Sequence, residues 1–120
     1  MKSIAPGERV VRNILTTPYE PLAYEGISHS GMTHITLDPR RTPGTGLYAL
    51  RMEAGSVSTG HEHPTDEIFY VLEGELVDND GTVYKAGDMV LLRPGTQHSS
   101  QTPNGCTLLV YQDQVEIPVD

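Results

Sequence analysis

Apolar positions in this chain recur in short runs, and no run keeps a helical period for three turns. Within the runs, apolar residues alternate with polar ones or follow one another briefly, as in strands that are buried on one or both faces. Glycine, proline, asparagine and aspartate separate the runs. The predicted strands are Thr33–Leu37, Leu47–Met52, Ile68–Leu72, Glu75–Val77, Val83–Lys85, Met89–Arg93 and Thr107–Tyr111.

Turn signals stand between these strands. Asn79-Asp80-Gly81 predicts a hairpin turn, because Asp and Gly adopt positive φ at little cost. Pro94-Gly95 predicts a second tight turn. Many short strands at such spacing are typical of a sandwich or barrel, so the predicted fold class is all-β.

The first part of the chain has a different composition. Residues 1–45 contain five of the nine prolines, with several glycines between them. This composition favours an extended N-terminal arm that packs on the barrel or on a partner subunit. The apolar residues between Val10 and Leu15 suggest an edge strand within the arm. Residues 46–120 are predicted to form the barrel.

Size and charge exclude several classes of function. A chain of 120 residues is expected to form one domain. The net charge of −8 argues against nucleic-acid binding. No apolar run approaches the ~18 residues of a membrane span, and the N-terminus lacks the apolar core of a signal peptide, so a cytoplasmic protein is predicted. The single cysteine, Cys106, has no partner for an intrachain disulfide.

A set of metal-ligating residue types begins at His61. His61 and His63 are two positions apart, so their side chains leave an extended strand on the same face. Glu67 follows a short turn and can enter the same space, and His98 supplies a fourth donor after the Pro94-Gly95 turn. Three imidazoles and a carboxylate suit Fe(II), Mn(II), Ni(II), Co(II), Cu(II) or Zn(II), and we expect Fe(II) or Zn(II).

The spacing of these residues resembles the two motifs of the cupin superfamily. Gly55, His61, His63, Glu67 and Gly74 match the first motif, G(x)5HxH(x)3E(x)6G, at every spacing. The second motif, G(x)5PxG(x)2H(x)3N, is matched by Gly87, Gly95 and His98, whereas Arg93 replaces its proline and Thr102 its asparagine. Residues 71–78, 84–88 and 104–110 are similar to the ChrR-like cupin group.

The resemblance implies a fold and several functions. Cupins form a double-stranded β-helix, or jelly-roll barrel, that is often dimeric and holds a metal in its mouth. ChrR-like single-domain cupins include iron dioxygenases that cleave carbon–carbon bonds in dicarbonyl or hydroxyketone substrates. The leading expectation is therefore a metal-dependent, dioxygenase-like enzyme that acts on a small organic molecule as a homodimer. The alternatives are a sensor or binding module without catalysis, and a metal-dependent lyase or isomerase.

Three further residues are candidates for the substrate pocket. Arg51 and Arg93 are predicted to hold an anionic substrate, since guanidinium binds carboxylates in a bidentate manner. Surface ion pairs are the alternative for both arginines. Tyr48 is a candidate aromatic wall. Outside the motifs, we expect His34 to be structural, His29 to be exposed by default or else to cap the pocket, and Cys106 to be a buried structural thiol.

Overall fold

In a computed structural model of the protein, the described residues 1–24 and 29–119 form ten strands and no helix. None of these residues therefore belongs to a helix that is long and apolar enough to cross a membrane. The strands are β1 (Glu20–Pro21), β2 (Met32–Thr36), β3 (Gly46–Met52), β4 (Ser56–Glu62), β5 (Glu67–Asp78), β6 (Val83–Lys85), β7 (Met89–Leu92), β8 (Gln97–Thr102), β9 (Cys106–Gln112) and β10 (Ile117–Pro118).

The strands form one curled antiparallel sheet that closes into a jelly-roll barrel. Its order is β1-β2-β3-β9-β5-β8-β4-β10, and β6 and β7 also pair with β5. Strand β5 belongs to both faces of the barrel. Its first part, Glu67–Gly74, pairs with β9, and its last part, Glu75–Asp78, pairs with β6 and β8. We call the β1-β2-β3-β9-β5-β7 face the first sheet and the β10-β4-β8-β5-β6 face the second sheet.

The change of sheet within β5 depends on Gly74. The pairing of β5 with β9 shifts register between Val71 and Glu73, next to this glycine. Gly74 has φ of 78°, and a Cβ atom there would overlap the Gly105 carbonyl oxygen and lie 2.8 Å from Cys106 Cα. Only glycine combines this backbone angle with so close an approach of two strands.

The core follows from the alternation of side chains along the first sheet. Tyr48, Val110 and Phe69 form one inward row across β3, β9 and β5, and all three are buried. Burial of each such side chain contributes about 1.5–3 kcal/mol. The intervening positions point outward, as the partly exposed Leu47 and Ile68 show. The inward rows also form the wall of the cavity that contains the candidate site.

The structure confirms the all-β fold class, and most predicted strands lie within two residues of their predicted bounds. The predicted segments Ile68–Leu72 and Glu75–Val77 are joined in β5, because Gly74 bends the strand without ending it. Strands β4 and β8 were not predicted, since their sequences are mostly polar and pairing with each other and with neighbouring strands holds them in place.

The N-terminal region differs in detail from the expectation. Strands β1 and β2 lie within residues 1–45 yet pair with the first sheet. Their backbone groups continue the sheet beyond β3, whereas the described residues before Glu20 belong to no strand. The segment Val10–Leu15 forms no strand in the structure.

Candidate metal centre and cavity

Three histidines meet at the end of the second sheet. His61 lies near the end of β4 and pairs with His98 on β8, and a register shift between Ser58 and His61 precedes it. His63 follows β4 directly and is fully buried. One ring nitrogen from each histidine lies within 4.8 Å of the others, and the Nε2 atoms of His63 and His98 are 3.0 Å apart. The structure thus brings these three predicted ligands together.

Each of the three rings has its Nδ1 atom beside a hydrogen-bond acceptor. An imidazole that donates from Nδ1 presents a lone pair at Nε2. The three rings therefore present acceptors to one shared space, an arrangement that a metal cation between them would satisfy. The acceptors are Thr59 O at 2.7 Å from His61, Asp78 Oδ2 at 3.0 Å from His98, and Gln112 Oε1 at 3.3 Å from His63.

Burial keeps two of these rings neutral. Desolvation, with smaller contributions from the neighbouring His61 and His98, lowers the pKa of His63 to about 4. Desolvation also lowers the pKa of His61. At neutral pH both rings are therefore in the unprotonated form that metal binding requires.

Glu67 lies beside the histidines at the start of β5. Its Oε1 atom is 3.3 Å from His63 Nε2, and its side chain is 12% exposed. Burial raises the pKa of Glu67 well above its ordinary value, and the carboxylates of Glu116 and Asp78 raise it further. Glu67 is outside the group of ligand atoms within 4.8 Å of one another. It is therefore placed to approach an ion, and its surroundings disfavour the charged form of its carboxyl group when no cation is near.

A cavity opens next to the histidines, between the two sheets. The space open to the centres of water molecules is about 50 Å³, which corresponds to about four water-sized groups. His61, His98, Glu67 and the predicted wall residue Tyr48 line it. Most other lining residues are apolar: Leu22, Met32, Leu50, Met52, Phe69, Leu76, Leu108 and Val110.

A second carboxylate in the cavity was missed by the sequence reasoning. Glu116 lies just before β10, and its Oε1 accepts a hydrogen bond from the hydroxyl of Tyr24. Burial alone would raise its pKa, but hydrogen bonds from His29, Tyr24 and Gln112 lower it to about 2. Glu116 is therefore ionised at neutral pH. No motif or periodicity marked this residue.

Asp78 and Gln112 were also missed, although strand parity pointed to both. Asp78 is two residues beyond the inward Leu76, and Gln112 is two residues beyond the inward Val110. Both are buried. Burial opposes ionisation of Asp78, but hydrogen bonds from His98, Tyr84 and Ser100 lower its pKa overall. A polar residue at an inward strand position is thus the signal that could have identified them.

The two candidate arginines lie outside the cavity. Arg51 is on the outer face of β3, where its guanidinium carbon is 3.8 Å from the centroid of the Tyr19 ring. Its neighbours Leu50 and Met52 take the inward positions, so Arg51 must point away. The Arg93 side chain is 73% exposed and lies 4.0 Å from Asp66. Arg93 thus makes a surface ion pair, which was the alternative considered for both arginines, whereas Arg51 is exposed and contacts an aromatic ring instead.

The other residues singled out have structural surroundings. The side chain of His29 is only 5% exposed, because its ring packs on Tyr24 with centroids 4.3 Å apart and lines the cavity. His34 is buried beside the backbone oxygen of Glu20, at 3.1 Å. Cys106 is buried, and burial raises its pKa. The default expectation of an exposed His29 was wrong, and its place in the cavity lining agrees with the alternative that it caps the pocket.

Comparison with known proteins agrees with this geometry. A family model described as the ChrR Cupin-like domain matches residues 8–116. An uncharacterized protein, YdbB of Bacillus subtilis (strain 168), is 45% identical over 47 residues, which are 35% of this chain and 42% of that protein. The match thus spans less than half the length of this curated relative.

Two solved structures share the fold over almost the whole chain. An acetylacetone dioxygenase from Acinetobacter johnsonii has a TM-score of 0.65 and 18% identity, covering 92% of this chain and 76% of that chain. The polyketide cyclase RemF from Streptomyces resistomycificus has a TM-score of 0.70 and 20% identity, covering 100% of this chain and 86% of that chain. At these identities the likeness shows a shared fold.

Proposed function

Because the chain belongs to the ChrR cupin-like family, we propose that it is a metal-dependent enzyme of the dioxygenase type that acts on a small, neutral organic molecule. The observation that carries this proposal is the convergence of three imidazole lone pairs at the wall of a largely apolar cavity. A metal ion that borders a small cavity can bind and activate a molecule held there, whereas a metal that only stabilises the fold needs no cavity beside it.

The histidines would hold the ion, and Glu67 would be its fourth ligand. Fe(II) and Zn(II) both suit this donor set. An ion with four protein ligands keeps open positions at which substrate oxygen atoms can be polarised. Since the pKa of Glu67 is raised, its carboxyl must release a proton when it joins the ion, so metal affinity should fall as the pH falls.

The charges around the cavity favour a neutral substrate. Among the described residues that line it, Glu67 and Glu116 are carboxylates, and none is a lysine or arginine. A free carboxylate on the substrate would face the ionised Glu116 in a poorly solvated space. Tyr48 and the apolar side chains would pack against the carbon skeleton. This differs from the anionic substrate that was expected with Arg51 and Arg93 in the pocket.

An oxygen-uptake screen tests the proposal. The protein would be loaded anaerobically with Fe(II) and offered acetylacetone and acetoacetate, which share the CH3COCH2 part and differ in that acetoacetate has a carboxylate where acetylacetone has a second acetyl group. We expect uptake with the neutral diketone and much less with the anionic analogue. In Glu116→Gln, the difference in oxygen uptake between the two substrates should become smaller, because the variant lacks the negative charge that opposes binding of acetoacetate.

His98→Ala is the control for this screen. It should abolish both tight metal retention and oxygen uptake while leaving a soluble fold, since it removes one of three convergent donors. Metal analysis with unchanged stoichiometry would refute the assigned ligands. If no dicarbonyl or hydroxyketone stimulates uptake by the iron-loaded protein, the dioxygenase proposal fails.

A metal-dependent lyase, cyclase or isomerase is the second candidate. The observation that favours it is the contact between Tyr24 and Glu116, which places a hydroxyl and an ionised carboxylate in the cavity, where they can orient a polar substrate without any need for oxygen. The fold is also shared with a polyketide cyclase. Substrate turnover with zinc and without oxygen would favour this candidate. Tight ligand binding without turnover would instead favour a sensor or binding module.

We further propose that the protein acts as a homodimer, with a second copy on the outer face of the first sheet. This face carries a partly exposed apolar surface. Segment 1–15 has three basic and one acidic residue, whereas residues 16–120 have five basic and fifteen acidic residues. Segment 1–15 also exposes apolar side chains, and we expect it to bind to the acidic surface that residues 16–120 of the second copy present. The apolar face comprises Leu47, Ile68, Tyr70, Met89, Leu91 and Tyr111.

Light scattering at micromolar concentration tests the dimer. The wild-type protein should have the mass of a dimer, and Leu91→Asp should shift it toward the monomer. Val57→Asp is the matched control, because Val57 is also exposed but lies on β4 of the second sheet. A monomeric wild-type mass would refute the dimer. The cytoplasmic location stays a prediction, which cell fractionation would check.

A further inference from the structure

A chain of side-chain hydrogen bonds connects the cavity mouth to one metal-ligand candidate. The Tyr24 hydroxyl donates to Glu116 Oε1, and Gln112 Nε2 donates to Glu116 Oε2 at 2.9 Å. Gln112 Oε1 lies 3.3 Å from His63 Nδ1. Gln112 and His63 are almost completely inaccessible to solvent. Water therefore cannot easily replace any partner in the inner part of this chain.

The surroundings of Gln112 determine the orientation of its amide group. Its nitrogen faces the Gly44 carbonyl oxygen at 2.8 Å and the Glu116 carboxylate at 2.9 Å. Both groups only accept hydrogen bonds when Glu116 is ionised. The amide nitrogen must therefore face them, which leaves the amide oxygen toward His63. An oxygen at that place requires His63 to donate from Nδ1.

We infer that Glu116 is a positioning residue for the metal centre, which acts through Gln112 to keep the proton of His63 on Nδ1 and the lone pair on Nε2. Without the carboxylate, the amide nitrogen would keep the Gly44 carbonyl oxygen at 2.8 Å and the more distant Tyr48 hydroxyl at 3.5 Å, and a hydroxyl can donate as well as accept. The amide could then rotate and donate to Nδ1, which would move the ring proton to Nε2, where it would face the other ligands. The inference rests on the metal site of the proposed function but not on any reaction there.

The ring tautomers can be measured directly in the metal-free protein. Long-range ¹H–¹⁵N correlation spectra at pH 7 distinguish a proton on Nδ1 from one on Nε2. We expect His63 of the wild-type protein to carry its proton on Nδ1. In Glu116→Leu, a substantial fraction should shift to Nε2. His61 and His98 are internal controls, because Thr59 and Asp78 hold them independently of Glu116.

Metal affinity provides the second readout. Glu116→Leu should weaken Zn(II) or Co(II) binding by about 10- to 100-fold, the usual effect of losing an outer partner of a ligand. Glu116→Gln should keep the wild-type metal affinity and the His63 tautomer, because its amide oxygen can accept from Gln112 and its amide nitrogen can donate to the Tyr24 oxygen. Glu73→Leu is the control, since Glu73 is an exposed carboxylate that accepts from Thr107 at 3.1 Å.

Two results would overturn the inference. One is a wild-type spectrum with the His63 proton on Nε2, which needs no variant and therefore does not depend on how a variant folds. The other is a folded Glu116→Leu protein with unchanged tautomer and metal affinity. Neither measurement uses a substrate, so a negative oxygen-uptake screen would count against the proposed function and leave this inference standing.

Discussion

Replacing Gly74 by alanine should destabilise the barrel by an amount that can be worked out from the structure. Gly81→Ala is the reference, because Gly81 has φ of 89° and nothing lies within 4 Å of its added Cβ. This variant should lower the free energy of unfolding by about 1 kcal/mol, because the strain of alanine at positive φ is partly offset by the smaller conformational entropy of its unfolded chain. Gly74 has φ of 78° and adds overlap with the backbone of β9, so a total of about 3–4 kcal/mol is expected.

Urea unfolding of the metal-free proteins, followed by circular dichroism, measures this difference. With a slope of roughly 1–3 kcal/mol per molar urea, Gly74→Ala should lower the midpoint by about 2 M and Gly81→Ala by about 0.5 M. Metal binding should also weaken in Gly74→Ala, because β5 carries Glu67 before the bend and Asp78 after it. Equal losses of stability in the two variants would show that the close approach of β9 does not constrain Gly74.

Three other results are expected. Asp78→Asn should lower metal affinity by about 10- to 100-fold in competition titrations, because His98 loses a charged acceptor, and unchanged affinity would contradict that role. The Glu116 pKa falls from 4.5 to about 2 on folding, so its contribution of about 3 kcal/mol is complete above pH 4.5 and is lost as the pH falls through 2. In urea titrations between about pH 2 and pH 4.5, the free energy of unfolding of Glu116→Gln should therefore depend less on pH than that of the wild-type protein. An unchanged pH dependence would refute the lowered pKa of Glu116. Arg51→Ala should leave metal affinity unchanged and lower stability by about 0.5–1 kcal/mol through loss of the Tyr19 contact, and a loss of metal would place it in the site after all.

Two of the candidate ligands were predictable because their relation is local, whereas His98, 35 residues beyond His63, was found through its motif. His61 and His63 share a face through their spacing, and the glycines of the two motifs mark the turns around them. The polar strands β4 and β8 were harder to predict, since neither has the apolar alternation from which a strand is inferred. Tyr48 was predicted as an aromatic wall of the pocket, and it lines the cavity.

The partners of the ligands depend on pairing between distant strands. Gln112 is 49 residues from His63 along the chain, and Asp78 is 20 residues from His98. Spacing in the sequence carries no information on such pairs, because they form only when strands align in one register. Glu116 lies outside any long strand, so not even parity indicated that it enters the cavity.

The sequence by itself determined the ligand types, the spacing that brings them to one face, and the all-β class with its turns. Tertiary structure decided which side of each strand faces the cavity, and this turned Arg51 outward while its neighbours Leu50 and Met52 line the interior. It also brought Glu116 beside the metal-ligand candidates. The physical reason is that alternation along a strand defines two faces, and only packing against the opposite sheet selects the buried one.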